Sequence, residues 1–190
     1  MENRKLHQTE WVEEARQYIV RGQHGVFRTV VDTPVVLVHK RSQVDENLCA
    51  SYGYDIYEGH YNGGTLVANT GDLVFADFGE CESGWLNRYV KYFMKWLKDR
   101  GLEPVYANND ILLDDHKVCG TCITRYGRID YTTIFISMNP NLDHIRAICR
   151  KPMVKVPKGL SDYGITSEEI EAMFLDFCRA DTAHADDTHA

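Results

Sequence analysis

The stretch from Asn108 to Thr124 contains the strongest fold signal in the chain, and it reads Asn-Asn-Asp-Ile-Leu-Leu-Asp-Asp-His-Lys-Val-Cys-Gly-Thr-Cys-Ile-Thr. A short apolar run, Ile111-Leu112-Leu113, is followed by Asp114-Asp115, a pair that suits a two-residue turn. The residues from His116 to Arg125 then alternate well enough for a second, half-buried strand. The stretch therefore predicts a β-hairpin.

The second strand of this hairpin contains a candidate functional lysine. Residues i and i+2 of a strand share a face, so Lys117 and Cys119 are expected to point the same way. Gly120 removes a side chain where a ligand or another backbone can come close. A lysine on rigid strand backbone beside a glycine suits a bound anion, whereas spacing alone favours an ordinary solvent-facing lysine.

Upstream of the hairpin, a glycine-rich turn, a short strand, a Gly-Asp turn and a second strand follow one another. The residues from Tyr61 to Phe75 read Tyr-Asn-Gly-Gly-Thr-Leu-Val-Ala-Asn-Thr-Gly-Asp-Leu-Val-Phe. Taken with Asn109-Asp110-Ile111 and Lys117-Val118-x-Gly120, this order resembles the lipoate/biotin protein ligase family, and within it the catalytic domain of lipoate–protein ligase A-like proteins. In that family a Ser-Gly-Gly-Gly loop precedes an Asn-Asp pair and a lysine segment. The resemblance covers the chain from about Thr9 to Phe177.

The composition limits the classes of function. A chain of 190 residues, 44% of them hydrophobic, predicts one domain, and the resemblance implies that residues 1–179 form a ligase-like catalytic domain. The acidic segment 180–190 is expected to be disordered. A net charge of −7 without a basic block argues against nucleic acid as a partner. No apolar run reaches the ~18 residues that span a bilayer, and no signal peptide is visible, so we expect a cytoplasmic protein without membrane contact. Six cysteines are too few for a disulfide scaffold, which predicts free thiols.

The element pattern predicts an α/β (α+β) fold, in which helices flank a mixed and largely antiparallel sheet, like the catalytic core of biotin and lipoate protein ligases. Apolar spacing and cap residues predict three helices: one from Thr9 to Gly22, one over Leu86–Leu97, and a last one that begins with the capping box Thr166-x-x-Glu169. A further helix is expected to have Pro140 at its first position.

The resemblance implies an activity. Family members activate lipoate or octanoate with ATP and Mg²⁺ as an acyl-AMP, and they transfer the acyl group to a lysine amine of an acceptor lipoyl domain or similar protein. By match of position, Lys117 would be the cation on the acyl carbonyl and α-phosphate. Asp110 would lie near Mg²⁺ or the incoming amine, and Asn109 would orient the intermediate.

The same resemblance implies a set of substrate-binding residues. Gly63 and Gly64 would allow close backbone approach, and Leu66 and Val67 would border the adenine or the acyl tunnel. Gln43 matches a pocket position, although a solvated loop glutamine is equally compatible with its surroundings. The remaining candidates are Thr65, Asn69, Asp72, Gly120 and His60.

One loop departs from the family. Where the family has an Arg-Arg pair and a serine before three glycines, this chain has Glu58-Gly59-His60-Tyr61-Asn62-Gly63-Gly64. Losing two cations and gaining a carboxylate should weaken triphosphate binding, and His60 would replace the lost charge only in part. Many lipoate ligases also have a small accessory domain, so the resemblance implies either a separate accessory chain as a partner or no adenylation step.

Two other classes of function stay open. An acyltransferase of the same superfamily would move an octanoyl or lipoyl group through a cysteine thioester without ATP, with Cys119 as the nucleophile, unless Cys119 only fills the place of a small residue. A non-catalytic binding module would keep the fold without turnover. Cys119 and Cys122 lie three apart on a strand and face opposite sides, which argues against a redox or zinc site.

Overall fold

The computed structural model describes residues 3–5, 17, 20–21, 25–58, 64–80, 84–126 and 129–187. The strands are β1 Asn3–Lys5, β2 Gly25–Val30, β3 Val35–Val38, β4 Asp55–Glu58, β5 Leu66–Ala68, β6 Leu73–Glu80, β7 Val105–Ala107, β8 Asp110–Leu113, β9 His116–Tyr126 and β10 Ile129–Ile136. The helices are α1 Glu46–Ser51, α2 Trp85–Lys98, α3 Leu142–Ile148 and α4 Ser167–Asp187, with short 3-10 turns at Arg41–Gln43 and Leu160–Tyr163. Gln17, Val20 and Arg21 are also helical, and most of the predicted first helix lies outside the described residues.

The strands form two sheets. Seven strands pair in the order β1-β2-β6-β10-β9-β8-β7, and three pair in the order β4-β3-β5. In the seven-stranded sheet only β1 and β2 are parallel, and in the small sheet only β3 and β4 are. The predicted fold class, a largely antiparallel sheet flanked by helices, is confirmed.

The predicted hairpin is confirmed and belongs to a longer meander. Asp114 and Asp115 have φ of 50° and 64°, as both central residues of a type I′ turn must. Asn108 and Asn109 have φ of 53° and 64° and make a second turn of this kind between β7 and β8. Asn and Asp tolerate this left-handed conformation better than other side-chain-bearing residues, so residue choice alone explains both turns.

A β-bulge in β9 changes the expected faces. Ile111 pairs with Cys119 and Leu112 pairs with Lys117, so the register of β8 on β9 skips Val118. Val118 and Cys119 are both buried in the cluster that faces the helices. The prediction that Lys117 and Cys119 share a face is therefore wrong, because the extra residue shifts the alternation by one position.

The two faces of the seven-stranded sheet have different covers. On one face α2 and α4 pack with rings such as Tyr89, Phe93 and Phe174, all of which are fully buried. On the other face the small sheet packs over Phe27, Phe78 and other apolar residues of β2, β6 and β10. The outer face of the small sheet is covered in turn by α1 and α3.

Three helix ends test the sequence patterns. The capping box is confirmed, since Thr166 N donates to Glu169 at 2.9 Å and Glu169 N donates to Thr166 Oγ1 at 3.3 Å. The start predicted at Pro140 is wrong, because Asn141 is the N-cap and its Oδ1 accepts from His144 N. The helix α4 continues to Asp187, so it runs into the segment 180–190 for which the sequence predicts disorder. Among the described residues, no helix has the length and apolar character to cross a membrane.

Candidate active site

A cavity of about 200 Å³ lies between the two sheets, and we call it the inter-sheet cavity. Both sheets contribute to its largely apolar wall, which includes Leu37, Leu66, Val74, Thr133 and Phe135. Gly64, Thr65, Gly120, Thr121 and Cys122 complete the lining together with Lys117. Protein interiors are close-packed, so an apolar space of this size with one cation at its wall is a candidate binding site.

A second space of about 110 Å³, the side cavity, adjoins the first. Thr65, Leu66, Lys117 and Phe135 line both spaces. The side cavity is completed by Val67, Ser137, Pro140, Ile145, Cys149, Met153, Lys155 and Pro157. Lys117 therefore stands where an apolar compartment meets a second compartment.

The backbone and side chain of Lys117 are both held in place. Its N–H donates to the carbonyl of Val156 at 3.1 Å, and its carbonyl accepts from Lys158 N at 3.0 Å. Its Nζ lies 2.8 Å from Oδ1 of Asp110. At Gly120 a Cβ would lie 2.9 Å from Cε and from Nζ of Lys117, so a side chain at that position would displace the lysine. The predicted lysine–glycine pairing is thus seen in the structure, although Lys117 shares a face with Gly120 instead of Cys119.

A second lysine, which the sequence pattern did not predict, lies at the same carboxylate. Lys155 Nζ donates to Asp110 Oδ2 and to the carbonyl of Ala107, both at 2.8 Å. The pair is half-buried, with 21% of the Lys155 side chain and 17% of the Asp110 side chain exposed. The charge pattern of the sequence is the feature that indicates a second cation near the site. Residues 144–161 contain no Asp or Glu and include Arg146, Arg150, Lys151, Lys155 and Lys158.

The described residues do not form a Mg²⁺ site built from protein ligands alone. Both carboxylate oxygens of Asp110 are occupied by ammonium groups. Within the described ranges, no group of three His, Cys, Asp or Glu residues could hold a metal ion. Mg²⁺ prefers carboxylate oxygens and water, and two adjacent cations disfavour it further. Asp110 therefore holds both lysines in place, and its role near Mg²⁺ or the incoming amine stays a prediction.

The comparison with known families settles the relationship. The family model of the lipoyl protein ligase A/B catalytic domain matches residues 7–173. The chain belongs to the lipoyl protein ligase A/B family. A comparison with curated protein sequences gives no significant match.

Solved lipoate ligases share the fold of this lipoyl ligase-family domain. A bipartite lipoate protein ligase from Thermoplasma acidophilum, described with its E2 lipoyl domain, superposes with a TM-score of 0.77 at 14% identity, covering 96% of this chain and 84% of that one. Lipoate-protein ligase A bound with ATP superposes with a TM-score of 0.76 at 15% identity, covering 96% of this chain and 86% of that one. LipL1 of P. falciparum in complex with lipoate superposes with a TM-score of 0.78 at 10% identity, covering 96% of this chain and 62% of that one. At these identities the likeness extends to the fold.

Two residues predicted to bind substrate, Asn69 and Asp72, are buried and hydrogen-bonded within this family member. Asp72 is fully buried, and its carboxylate accepts from Asn69 N and from Met138 N, both at 2.7 Å. Burial raises the pKa of Asp72 to about 6, against the opposing effect of these hydrogen bonds. Asn69 Oδ1 accepts from the hydroxyl of Tyr54 at 2.6 Å. Asp72 thus ties the start of β6 to the loop after β10, beside the side cavity, while neither Asn69 nor Asp72 lines it.

Two further candidates lie away from both cavities. Gln43 Oε1 accepts from the backbone N–H groups of His39 and Lys40 at 2.9 Å and so closes its own loop. Asn109 is exposed in its turn, and its carbonyl accepts from Thr121 N at 2.7 Å. Both residues therefore shape turns, and neither lines a cavity itself, although the bond partner of Asn109, Thr121, lines the inter-sheet cavity. His60 and Gly63 lie outside the described residues.

The thiol of Cys119 is poorly placed for nucleophilic attack. Only 1% of Cys119 is exposed, and it packs in the cluster that contains Tyr89. Burial raises the pKa of this thiol far above its usual value, which outweighs the attraction of the Lys117 charge. The role of Cys119 as a nucleophile stays a prediction, but the bulge turns its side chain to the face opposite Lys117. Cys122 and Cys149 are the partly exposed thiols that line the inter-sheet cavity and the side cavity.

Proposed function

We propose that this domain activates lipoate or octanoate with ATP as an acyl-AMP and passes the acyl group to a lysine amine of an acceptor lipoyl domain. The observation that supports this proposal is the position of Lys117, at the junction between an apolar cavity and a second compartment. An acyl-adenylate has the same division, with an apolar chain on one side of a charged mixed anhydride and a nucleoside on the other.

The inter-sheet cavity suits the acyl chain. Its wall is formed by apolar side chains such as Leu37, Val74 and Phe135, so burial of the chain would supply most of the binding free energy. The carboxylate of the acid would then meet the ammonium group of Lys117. Leu66 lines both cavities and would separate the chain from the nucleoside.

Two transfers follow in this scheme. A carboxylate oxygen of the acid attacks the α-phosphorus of ATP, and the bond to pyrophosphate breaks. The acceptor amine, after losing a proton, attacks the acyl carbonyl, and AMP leaves with the electron pair of the anhydride bond. Charge develops on the phosphate in the first step and on the carbonyl oxygen in the second, and a cation fixed at Lys117 stabilises both.

The acceptor and a second chain are part of the proposal. The solved Thermoplasma acidophilum ligase is bipartite and is described together with its E2 lipoyl domain. We expect this chain to need a separate accessory chain in the same way, and to modify a lipoyl domain.

The experiment is formation of acyl-AMP, measured by mass spectrometry after the protein, copurified with its accessory chain, is mixed with ATP, Mg²⁺ and octanoate or lipoate. Lys117→Met keeps the length of the side chain and removes its charge, so adenylate formation should fall roughly a hundred- to a thousandfold. Lys91→Met, at an exposed position on α2, is the control and should leave the rate unchanged. Equal rates in the two variants would contradict the proposal.

ATP-independent transfer through a thioester is a second candidate, because Cys122 lines the same cavity as Lys117. In that reaction the Cys122 thiolate attacks an acyl thioester, the donor thiol leaves, and the acceptor amine then takes the acyl group. An octanoyl thioester supplied without ATP would label Cys122 covalently, and Cys122→Ser would abolish the label. Binding of the acid without either product would indicate a non-catalytic module.

A further inference from the structure

The carboxylate of Asp110 is shared by two lysines from distant parts of the chain. Its Oδ1 lies 2.8 Å from Nζ of Lys117, and its Oδ2 lies 2.8 Å from Nζ of Lys155. Both lysines line the side cavity. Two ammonium groups and one carboxylate leave one net positive charge there, in a partly buried position where solvent and salt screen it less than at the surface.

Lys117 and Lys155 each have N–H donors left for a ligand. A lysine ammonium group has three N–H donors. Lys155 uses one on Asp110 and one on the carbonyl of Ala107, and Lys117 uses one on Asp110. Within the described part of the chain, this leaves one donor on Lys155 and two on Lys117. Phosphate oxygens accept several charge-assisted hydrogen bonds at once, so this donor set suits a phosphate.

We propose that Lys155 is the second cation of the site and that it binds the phosphate of the activated acid together with Lys117. This inference rests on the proposed function and names a residue for the anionic part of its substrate. Asp110 is the positioning residue, because it holds one ammonium group on each carboxylate oxygen. The basic segment 144–161 then supplies positive charge that the loop beginning at Glu58 lacks.

A purely structural role for Lys155 predicts a different result. If Lys155 only keeps Asp110 and Lys117 in place, its loss should weaken every ligand that meets Lys117, whether or not the ligand is charged. If Lys155 contacts the phosphate, its loss should weaken anionic ligands and spare neutral ones. Lys158 is a matched control, since it belongs to the same segment but its Nζ lies 4.4 Å from the centre of the Tyr163 ring.

The test is calorimetry of the purified full chain with three probes. The first is ATP with Mg²⁺, the second is octanoyl-sulfamoyl adenosine, which keeps a negative charge in place of the phosphate, and the third is neutral octanamide. Lys155→Met should weaken the two anionic probes by roughly ten- to a hundredfold, as loss of one charge-assisted hydrogen bond does. The affinity for octanamide should not change. Lys155→Arg should recover binding in part, and Lys158→Met should bind all three probes as the wild type does.

The outcomes distinguish a phosphate-binding role of Lys155 from a purely structural role. Unchanged affinity of Lys155→Met for the sulfamoyl probe would overturn this inference and leave the proposed function standing. Parallel weakening of all three probes would also overturn it, in favour of the structural role. A wild-type chain that binds neither anionic probe would overturn the proposed function as well. If Lys155→Met does not fold, Lys155→Gln, which keeps a neutral donor for Asp110, is measured with the same probes and the same criterion.

Discussion

The two faces of the seven-stranded sheet are built from the same strands but are covered differently. On the face toward α2 and α4 the space is filled by aromatic rings, with Phe75 and Phe174 stacked at 3.9 Å between ring centroids. On the face toward the small sheet a cavity of about 200 Å³ remains, with Phe135 and Val74 in its wall. The filled face is packed throughout, whereas the other face combines a packed part around Phe27 and Phe78 with a cavity where binding can occur. Alternate residues of each strand point to opposite faces. The bulge at Val118 shifts this alternation, so that Lys117 points to the face with the cavity.

The largest effect should follow from emptying the filled face. Phe174→Ala removes a fully buried ring and should lower the free energy of unfolding by about 3–5 kcal/mol. Phe135→Ala removes a ring that already borders the inter-sheet cavity. It should therefore cost less stability than Phe174→Ala and should weaken octanamide binding more than Phe174→Ala does. Chemical denaturation and calorimetry of the two variants give the comparison. Equal stability losses with unchanged octanamide binding would show that the two faces do not differ in this way.

A pH effect should arise at the end of the filled face. Burial, with Asp181 on α4 and Asp130 on β10 nearby, raises the pKa of Asp77 to about 7, although Arg88 on α2 opposes the shift. The folded state therefore binds more protons than the unfolded state between about pH 4 and 7, and this group lowers stability as the pH rises through that window. Asp77→Asn should match the wild type near pH 4 and be more stable at pH 8, by on the order of 1–3 kcal/mol. Exposed Asp162→Asn is the control.

The Asp77 result is obtained as the difference between variant and wild-type unfolding curves across pH, because other groups titrate in both proteins. A difference that stays constant from pH 4 to pH 8 would mean that Asp77 ionises normally in the folded state.

An intermediate effect should follow from adding one carbon to the face with the cavity. In Gly120→Ala the new Cβ would lie 2.9 Å from Cε and Nζ of Lys117, and the flexible lysine end must move away from Asp110. Adenylate formation should fall about ten- to a hundredfold, because small displacements of a catalytic group are costly. The melting temperature should hardly change, since only a side-chain end shifts. Full activity of Gly120→Ala would indicate that the contact with Asp110 is not needed.

The smallest effect should come from the neighbouring residue on the other face. Cys119→Ala shortens a buried side chain in the filled cluster and should cost about 1 kcal/mol of stability. Its rate of acyl transfer should equal that of the wild type, since the thiol does not face Lys117. Loss of activity at an unchanged melting temperature would restore Cys119 as a nucleophile and would contradict the assignment of faces in β9.

The parts of the fold that were predictable have local causes. Asp114-Asp115 specifies its turn, the apolar spacing of α2 specifies a helix, and Thr166 with Glu169 specifies a helix start. Each signal needs only neighbouring residues, and each was confirmed. The helix start expected at Pro140 failed because Asn141, one residue later, provides a side-chain cap.

The parts of the site that were not predictable depend on contacts between distant residues. The bulge at Val118 accompanies pairing of Lys117 with the backbone of residues 156–158, which no local pattern in β9 reveals. Lys155 meets Asp110 only after the chain has passed through β9, β10 and α3. The family resemblance drew attention to Lys117, yet strict alternation assigned the wrong neighbour to it. Asn69 and Asp72 resemble site residues in sequence, but both are buried: Asp72 accepts from two backbone N–H groups, and Asn69 Oδ1 accepts from the hydroxyl of Tyr54.

The extra residue in β9 also sets how the strand tolerates changes in length. Substitution of Val118 by another apolar residue preserves the register, so it alters only packing. Deletion of Val118 would restore simple alternation between Lys117 and the residues after it. Either Lys117 or the residues that follow it in β9 would then point to the opposite face of the sheet. A charged or polar group would therefore enter the aromatic layer. The strand is thus tolerant of apolar substitutions at this position and intolerant of a single-codon deletion there, which identifies Val118 as a position where homologous sequences should be aligned without a gap.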